Sequence, residues 1–369
     1  MKRAITLAGG GPAAGLHIGV LKFLEKKNVT FDVWALSCIG AWVGVIYNQF
    51  DGKNAKQTEQ FFRDNIFRGD DVYARFPINS VFGPDLIANA LALRKFFLSI
   101  DTYDKLWLPQ EFLEVMGKSI RFLCDPGKWN NEGDRNQLCL DIMSVNPFMR
   151  FLVSMLYLSE VPGLARIYYP ESNLIKAINI EKLRGRDKPF IYHNAWNISR
   201  RQLQLFSNQE GDGYYDISLK SLCACSALPY VEQTVDIDGD TYCEGALVDT
   251  VNFKNLLEDH PDLDEIWISR IVDARQIRAP RNLHDALGNL CMLFAATVGE
   301  DDVRLFKYHA REGGWKGKIV EIEVSADINY DWTHMNLGRG IRHGYDAAEK
   351  AWRGYVSESQ VRDVVMAAE

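Results

Sequence analysis

The sequence predicts an α/β protein with a mainly parallel sheet. Two short apolar stretches, residues 4–8 and 33–36, each pass through a glycine-containing turn into a segment with helical spacing, residues 16–27 and 41–47. Strand, turn and helix repeated in this order begin a parallel sheet, because each helix returns the chain to the edge where the next strand starts. Of the 369 residues, 47% are hydrophobic, which is enough for a large core.

The same pattern returns after residue 185. Strands are predicted at five apolar stretches, residues 189–197, 202–206, 241–243, 265–272 and 319–324. A short apolar run next to turn residues is typical of a buried strand. Residues 341–352 have helical spacing and form the last main helix that the sequence predicts.

Residues 51–185 interrupt this pattern. They are rich in aromatic residues and contain amphipathic pieces at 84–98 and 146–158, with a loop expected at 127–135 (GKWNNEGDR). We interpret them as a largely helical insertion within one domain that spans residues 1–369.

Charge and cysteine content argue against several classes of protein. The formal charge of −7 argues against a nucleic-acid partner, because phosphate neutralisation needs concentrated lysine and arginine. Seven cysteines spread along the chain are typical of a reduced, cytoplasmic protein and not of a disulfide scaffold.

Glycines at 9–11 break the apolar start too early for a signal peptide, and no run approaches the ~18 apolar residues of a membrane span. We therefore expect a cytoplasmic protein with at most peripheral membrane contact.

The first turn contains Gly9, Gly10 and Gly11 between a strand and a helix, which places backbone N–H groups where they can bind negative charge. A dinucleotide site would fit the glycines and Ala14, but it also needs an acidic residue after the second strand, and none follows it. A phosphate-binding loop would end in Gly-Lys-Ser/Thr, which is missing here. The other interpretations are an oxyanion hole and a tight turn that needs positive φ. No cofactor is expected.

The second turn lies where acyl-transfer hydrolases carry their nucleophile, on a sharp bend from strand to helix. Its sequence is Leu36-Ser37-Cys38-Ile39-Gly40. The G-x-S-x-G pattern fails when centred on Ser37, but centred on Cys38 it places Gly40 correctly and has Leu36 in the first glycine's position. The N-terminus of the following helix favours a thiolate, and the alternative is that Cys38 is a small buried hydrophobic residue.

Two later segments complete a recognisable order. Residues 225–229 read CSALP, and Glu244-Gly245-Ala246 form a turn after an Asp-Gly hairpin. With the two turns described above, these four blocks resemble, in order and spacing, those of the patatin-like phospholipase family, and residues 333–352 resemble its closing helix. The resemblance covers roughly the first 50 residues and 190–352, but not the segment between them.

The resemblance implies a three-layer α/β/α sandwich with a serine–aspartate dyad, in which the glycine-rich loop binds the oxyanion. Cys38 then occupies the serine's position and Glu244 the aspartate's, so the chain is an atypical member. The implied oxyanion donors are the N–H groups of Gly10, Gly11 and Ala13, since the intervening proline has none. The family's loop arginine aligns with Ala13, so its charge is absent.

Other polar residues are secondary candidates: His17 near the glycine-rich loop, Ser37 beside the nucleophile position, and Asp249, five residues after Glu244. Cys223, Cys225 and Cys243 suggest a metal site by spacing alone. No histidine accompanies them, so packing is the expected role and no metal is predicted.

The implied substrate is an acyl chain, held as an ester or as a thioester on a carrier or coenzyme. A nearby carboxylate raises the pKa of a thiol, so we expect Cys38 to lose its proton to Glu244 during attack. Thiol attack on a thioester is nearly balanced in free energy, whereas attack on an oxygen ester is uphill, which favours thioester hydrolysis or acyl transfer. The apolar residues 96–98 and 148–158 are expected either to line an acyl tunnel or to form the insertion's own core. The alternative function is a non-catalytic lipid-binding protein, and the sequence does not determine the oligomeric state.

Overall fold

The structure is a computed structural model that describes residues 1–75, 77, 86–104, 108–160, 163–165, 173–185, 187–324, 326 and 329–366. The strands in these residues are β1 (Arg3–Leu7), β2 (Val33–Leu36), β3 (Gly163–Ala165), β4 (Phe190–Asn197), β5 (Gln202–Ser207), β6 (Tyr214–Asp216), β7 (Tyr230–Glu232), β8 (Val235–Ile237), β9 (Asp240–Glu244), β10 (Glu265–Arg270) and β11 (Lys318–Glu323). The helices are α1 (Ala14–Lys26), α2 (Ile39–Asn48), α3 (Asn54–Asn65), α4 (Asp70–Arg75), α5 (Leu86–Leu98), α6 (Ile100–Asp104), α7 (Pro109–Leu123), α8 (Pro126–Trp129), α9 (Glu132–Val145), α10 (Pro147–Leu158), α11 (Asn173–Ala177), α12 (Leu219–Cys225), α13 (Leu256–Asp259), α14 (Leu283–Glu312) and α15 (His334–Met366). Short 3-10 turns lie at Gly11–Ala13, Ile180–Leu183, Gly245–Leu247 and Ala274–Gln276.

A mixed, mostly parallel sheet forms the centre of the fold. Its strand order is β11-β10-β1-β2-β4-β5-β6, and β9 adds antiparallel to β4 and carries β8. The four pairs from β11 to β4 are all parallel, with Thr6 of β1 opposite both Ile268 and Ala35. The mainly parallel α/β sheet predicted from the sequence is confirmed, and β1 lies inside it.

Helices cover both faces of this sheet, so its inner strands are buried on both sides along most of their length. Alternate residues of β1 point to opposite faces: Ile5 and Leu7 belong to one core cluster and Ala4 to the other. The first cluster includes buried residues of α1, α2 and α15, and the second includes residues of α13 and α14. The three-layer α/β/α sandwich implied by the family resemblance is therefore confirmed.

Helices α1 and α15 pack backbone against backbone through glycines. A Cβ placed on Gly344 of α15 would lie 2.0 Å from the carbonyl oxygen of Leu16, and one on Gly19 of α1 would lie 2.1 Å from that of Ile341. Phe23 and Tyr345 close the next turn with an edge-to-face contact at 5.2 Å between ring centroids. These contacts with α15 fix the position of α1, the helix that follows the glycine-rich turn.

The chain separates into two compact units, Met1–Gly83 with Ala165–Glu369, and Pro84–Leu164. The second unit is shorter than the insertion interpreted at 51–185, of which residues 76, 78–85, 105–107, 161–162 and 166–172 lie outside the described residues. α3 belongs to the first unit because its apolar face packs there: Phe62 is fully buried in the same cluster as α1 and α2.

In the described residues the second unit is helical from α5 to α10 and ends within β3. α5 and α10 lie in the predicted amphipathic pieces, of which residues 84–85 are outside the described part. Phe96 is buried and contacts Phe151, with 5.6 Å between ring centroids, so this pair forms part of the unit's own core. Leu98 and Leu156 are exposed.

The prediction of a loop at residues 127–135 is wrong. The segment contains α8 and the start of α9, because Asp125 and Asn131 cap them: Asp125 accepts the N–H of Gly127, and Asn131 accepts those of Gly133 and Asp134.

None of the helices in the described ranges is long and apolar enough to span a membrane alone. Helices α9 and α10, which meet at a bend of 72°, reach the required length and apolar composition when taken together.

We expect Gly344→Ala to lower the free energy of unfolding by more than about 2 kcal/mol, because the new Cβ overlaps the backbone of α1. Gly338→Ala in the same helix is the control. A Cβ there meets no atom within 4 Å, so the variant should be neutral or stabilised by up to about 1 kcal/mol. Urea denaturation measures both values, and equal stabilities would contradict the backbone contact.

Candidate active site

The bend after β2 holds Cys38 in a strained conformation. Its φ is 47° and ψ is −122°, in a region that non-glycine residues avoid and that costs on the order of 1–3 kcal/mol. The Ser37 N–H donates to the Leu7 carbonyl oxygen at 3.0 Å. A Cβ on Gly40 would lie 2.1 Å from that oxygen, so only glycine fits there. This is the geometry of a nucleophile elbow, with Cys38 at the N-terminus of α2.

Three turns of the chain meet at Gly9. A Cβ at this position would lie 3.3 Å from Cβ of Cys38 and 2.9 Å from Cβ of Ala246. The Gly9 N–H donates to the Thr250 carbonyl oxygen at 3.0 Å. The glycine-rich turn, the elbow and the turn after β9 therefore form one site at the end of the sheet.

Glu244 is placed by the pairing of β9 with β4. It lies opposite Ala195, and its N–H donates to the Ala227 carbonyl oxygen at 3.0 Å. A Cβ on the next residue, Gly245, would lie 2.9 Å from Cα of Ala195, so the chain turns tightly against β4. In this position the Glu244 carboxyl group lies within hydrogen-bonding reach of the Cys38 thiol.

Burial controls the proton affinities of this pair. Cys38 and Glu244 are each 7% exposed. Burial raises the pKa of Cys38 well above its usual value, the charges of Glu244 and Cys225 add to the rise, and the N–H of Ile39 opposes it. Burial also raises the pKa of Glu244 to about 7, against the hydrogen bond from Cys38. Cys38 is therefore a neutral thiol at rest, beside a carboxyl group that titrates near neutral pH.

A second buried carboxyl group, Glu232, lies near this pair. Burial raises the pKa of Glu232 well above its usual value, and the charge of Glu244 adds to the rise. Nothing in the sequence marks Glu232, because it lies outside the four blocks, at the end of β7.

The glycine-rich turn presents two N–H groups and not the expected three. The Ala13 N–H donates to the Gly10 carbonyl oxygen at 3.3 Å within the 3-10 turn, so the expectation for Ala13 is corrected. Within the described ranges, the N–H groups of Gly10 and Gly11 have no protein acceptor. Gly11 has a φ of 54°, and the turn packs against Ile271 and Val272 at Gly10.

His17 has a structural role. It is fully buried, and its Nε2–H donates to the Ala8 carbonyl oxygen at 2.8 Å, so its Nδ1 accepts from the Ser269 hydroxyl at 2.8 Å. Burial lowers the pKa of His17 to about 4, and the ring stays neutral. Both ring nitrogens are engaged in joining α1 to β1 and β10.

Ser37 and Asp249 also hold the backbone. The Ser37 hydroxyl donates to Oδ1 of Asn194 at 2.9 Å. The Asp249 carboxylate accepts backbone N–H groups of Asn252, Phe253 and Lys254 at 2.6 to 3.3 Å. Neither side chain is available as the base for Cys38.

Cys225 contacts the elbow directly. Its Sγ accepts the Cys38 N–H at 3.0 Å. Cys223 and Cys243 are also buried free thiols. No group of three metal-ligating side chains is found in the part of the chain that the structure describes.

A cleft of about 630 Å³ beside α14 has charged walls, among them Arg270, Lys307 and Glu321. Cys38 and Glu244 do not line it. Its chemistry does not suit an acyl chain.

Comparison with protein families decides the classification. The model of the patatin-like phospholipase family matches residues 5–257, more than two thirds of the chain, and this match contains both Cys38 and Glu244. The chain belongs to this family. Family membership supports lipid acyl hydrolase activity in general.

Similarity to individual proteins is low. A search of curated proteins finds no significant match. Among solved structures, VipD from Legionella pneumophila aligns over 96% of this chain and 67% of its own, with 12% identity and a TM-score of 0.40.

The buried Glu244 carboxyl makes the fold less stable as the pH rises. Its pKa is about 7 in the folded chain, against an ordinary value of 4.5. Between these values the folded state keeps a proton that the unfolded chain has lost, so the contribution of Glu244 to stability is complete below pH 4.5 and falls as the pH rises to about 7. We expect Glu244→Gln to remove this fall and to gain up to about 3 kcal/mol on wild type between pH 4 and pH 8.

Urea denaturation at both pH values measures this difference. Glu258→Gln, at an exposed site, is the control and should keep the wild-type dependence within about 0.5 kcal/mol. If Glu244→Gln also kept it, the carboxyl group would not be held in its neutral form by burial.

Proposed function

We propose that the protein is an acyl hydrolase or acyltransferase that forms a covalent acyl-enzyme on Cys38, with Glu244 as the general base. The observation that carries the proposal is the placement of the Glu244 carboxyl within hydrogen-bonding reach of the Cys38 thiol at a strained elbow. Both replacements keep the chemical class of the family's dyad, a nucleophile and a carboxylate.

The first step is attack of the sulfur on the substrate carbonyl carbon. As the S–C bond forms, the thiol proton passes to the Glu244 carboxylate and negative charge collects on the carbonyl oxygen. The N–H groups of Gly10 and Gly11 donate to that oxygen. The bond to the leaving group then breaks, and the leaving group takes the proton from Glu244.

The second step releases the acyl group. Glu244 is again ionised and accepts a proton from an incoming water, alcohol or thiol, which attacks the acyl carbon. The Cys38–acyl bond breaks, and the sulfur recovers its proton from Glu244. Water gives hydrolysis, and an alcohol or thiol gives acyl transfer.

The raised pKa of Glu244 suits this role. A carboxyl group with a pKa of about 7 is a much stronger base than an ordinary one, and general bases work best with a pKa near the operating pH. Burial of the pair also strengthens the interaction of the backbone donors with the oxyanion.

Thioesters on a carrier or coenzyme are the favoured acyl donors. Exchange of one thioester for another at Cys38 is close to balanced, whereas an oxygen ester must form a less stable thioester. Because all seven cysteines are present as thiols, we place the protein in a reducing compartment, the cytoplasm.

We expect an acyl thioester to leave a single acyl group on Cys38, detected by intact mass and peptide mapping. Cys38→Ala should abolish the adduct, and Glu244→Gln should slow its formation by about 10²- to 10⁴-fold. Cys139→Ala, which removes an exposed thiol, should leave the rate unchanged.

A folded wild type that forms no adduct with any acyl thioester or activated ester would contradict the proposal. If it also bound lipid equally well with and without Cys38→Ala, the non-catalytic lipid-binding alternative would take its place.

We expect the rate of acylation to rise with pH through a midpoint near 7, because only ionised Glu244 accepts the thiol proton. Single-turnover rates between pH 5 and pH 9 measure this profile. Glu258→Gln should keep the midpoint. A flat profile in this range would show that Glu244 is not the base.

A further inference from the structure

Tyr330 lies over the glycine-rich turn. A Cβ on Gly11 would lie 3.0 Å from the Tyr330 hydroxyl oxygen, and one on Gly288 of α14 would lie 3.1 Å from Cβ of Tyr330. The side chain therefore lies, half-buried, between the turn that carries the oxyanion donors and α14. Tyr330 lies beyond the segment that matches the family model, residues 5–257.

The Tyr330 hydroxyl lies within hydrogen-bonding reach of the Cys291 thiol, to which it can donate. It also lies within electrostatic range of Glu244 and Cys38. Burial and these neighbours raise the pKa of Tyr330 well above its usual value, so the hydroxyl keeps its proton and acts as a neutral donor.

The turn itself is short of donors. Pro12 has no N–H, the Ala13 N–H is engaged within the 3-10 turn, and a neutral side chain occupies position 13. Gly10 and Gly11 therefore supply the two backbone groups, and the Tyr330 hydroxyl is the side-chain donor placed against them.

We propose that Tyr330 is a catalytic residue that donates its hydroxyl hydrogen to the substrate carbonyl oxygen as negative charge develops there. This inference rests on the proposed acyl transfer at Cys38 and adds a third donor to its oxyanion site.

The Cys291 sulfur, which is the acceptor before the reaction begins, explains how the Tyr330 hydroxyl favours the transition state. A thiol sulfur is a weak hydrogen-bond acceptor, whereas an oxyanion accepts strong, charge-assisted bonds. When the hydroxyl turns from Cys291 to the oxyanion, it exchanges a weak bond for a strong one. The gain occurs only after attack has begun, which is the condition for accelerating the reaction rather than binding the substrate.

Tyr330→Phe tests the proposal because it removes only the hydroxyl. We expect the single-turnover rate of Cys38 acylation by an acyl thioester to fall by about 10²-fold, with KM changed by less than about threefold. Tyr345→Phe removes the hydroxyl that accepts from Lys26 and is the matched control, with an unchanged rate. A Tyr330→Phe rate within about twofold of wild type would overturn the proposal.

Inhibitor binding separates a catalytic from a structural role. A fatty aldehyde adds to Cys38 and places an alkoxide-like oxygen at the oxyanion position, whereas the primary amide of the same chain does not. We expect Tyr330→Phe to weaken inhibition by the aldehyde about tenfold and to leave the amide unchanged. Equal loss of both would assign Tyr330 a structural role and overturn the proposal.

Variants of Cys291 provide a second test of the proposal if Tyr330→Phe does not fold. Cys291→Ser provides a stronger resting acceptor and should slow acylation, whereas Cys291→Ala provides none and should leave it at or above the wild-type rate. The opposite order, or equal rates, would overturn the proposal.

The outcomes distinguish this inference from the proposed function. A wild type that acylates at Cys38 while the Tyr330 and Cys291 variants behave like wild type removes the inference alone. A wild type with no adduct removes both.

Discussion

The carbonyl group of Leu7 fixes the geometry on which the site depends. It ends the inner strand β1, accepts the N–H of Ser37 and leaves no room for a side chain at Gly40. The chain must therefore bend between these two contacts, and Cys38 takes the positive φ that the bend requires. The surrounding sheet holds β1 from both sides, so the strain at Cys38 is maintained by the most buried part of the fold.

The electrostatics of the site follow from the same burial. A solvent-exposed thiol beside a carboxylate would have only a modestly raised pKa, whereas Cys38 and Glu244 lie where water is scarce. Each ionised form is disfavoured, and so is the presence of both charges together. A neutral thiol beside a carboxyl group that titrates near pH 7 is the stable arrangement. The helix N-terminus, which favours a thiolate, does not overcome this effect.

The sequence was most informative where the constraint is local. Strands β1 and β2, their turns and the glycines at 9 and 40 could be predicted because each is determined by neighbouring residues and a tight backbone approach. The pairing of Cys38 with Glu244 came from the family resemblance and not from spacing, since over 200 residues separate them.

Other features depend on tertiary contacts and could not be predicted. The expected Ala13 donor is lost to a hydrogen bond inside its own turn, His17 is neutralised by two buried partners, and Tyr330 reaches the site from after β11. α3 looks like part of an insertion in sequence, yet its apolar face packs on the first unit. Residues 127–135 include types that favour turns, but Asp125 just before them and Asn131 within them cap α8 and α9.

The glycine contact between α1 and α15 has a consequence for how this chain can diverge in evolution. Because backbone touches backbone, enlarging a residue on one helix cannot be compensated by shrinking a side chain on the other. Changes at Gly19 and Gly344 are therefore accepted only with a shift of a whole helix, and such a shift moves the turn that begins α1. The last helix, outside the segment that matches the family model, thereby restricts the sequence of the first.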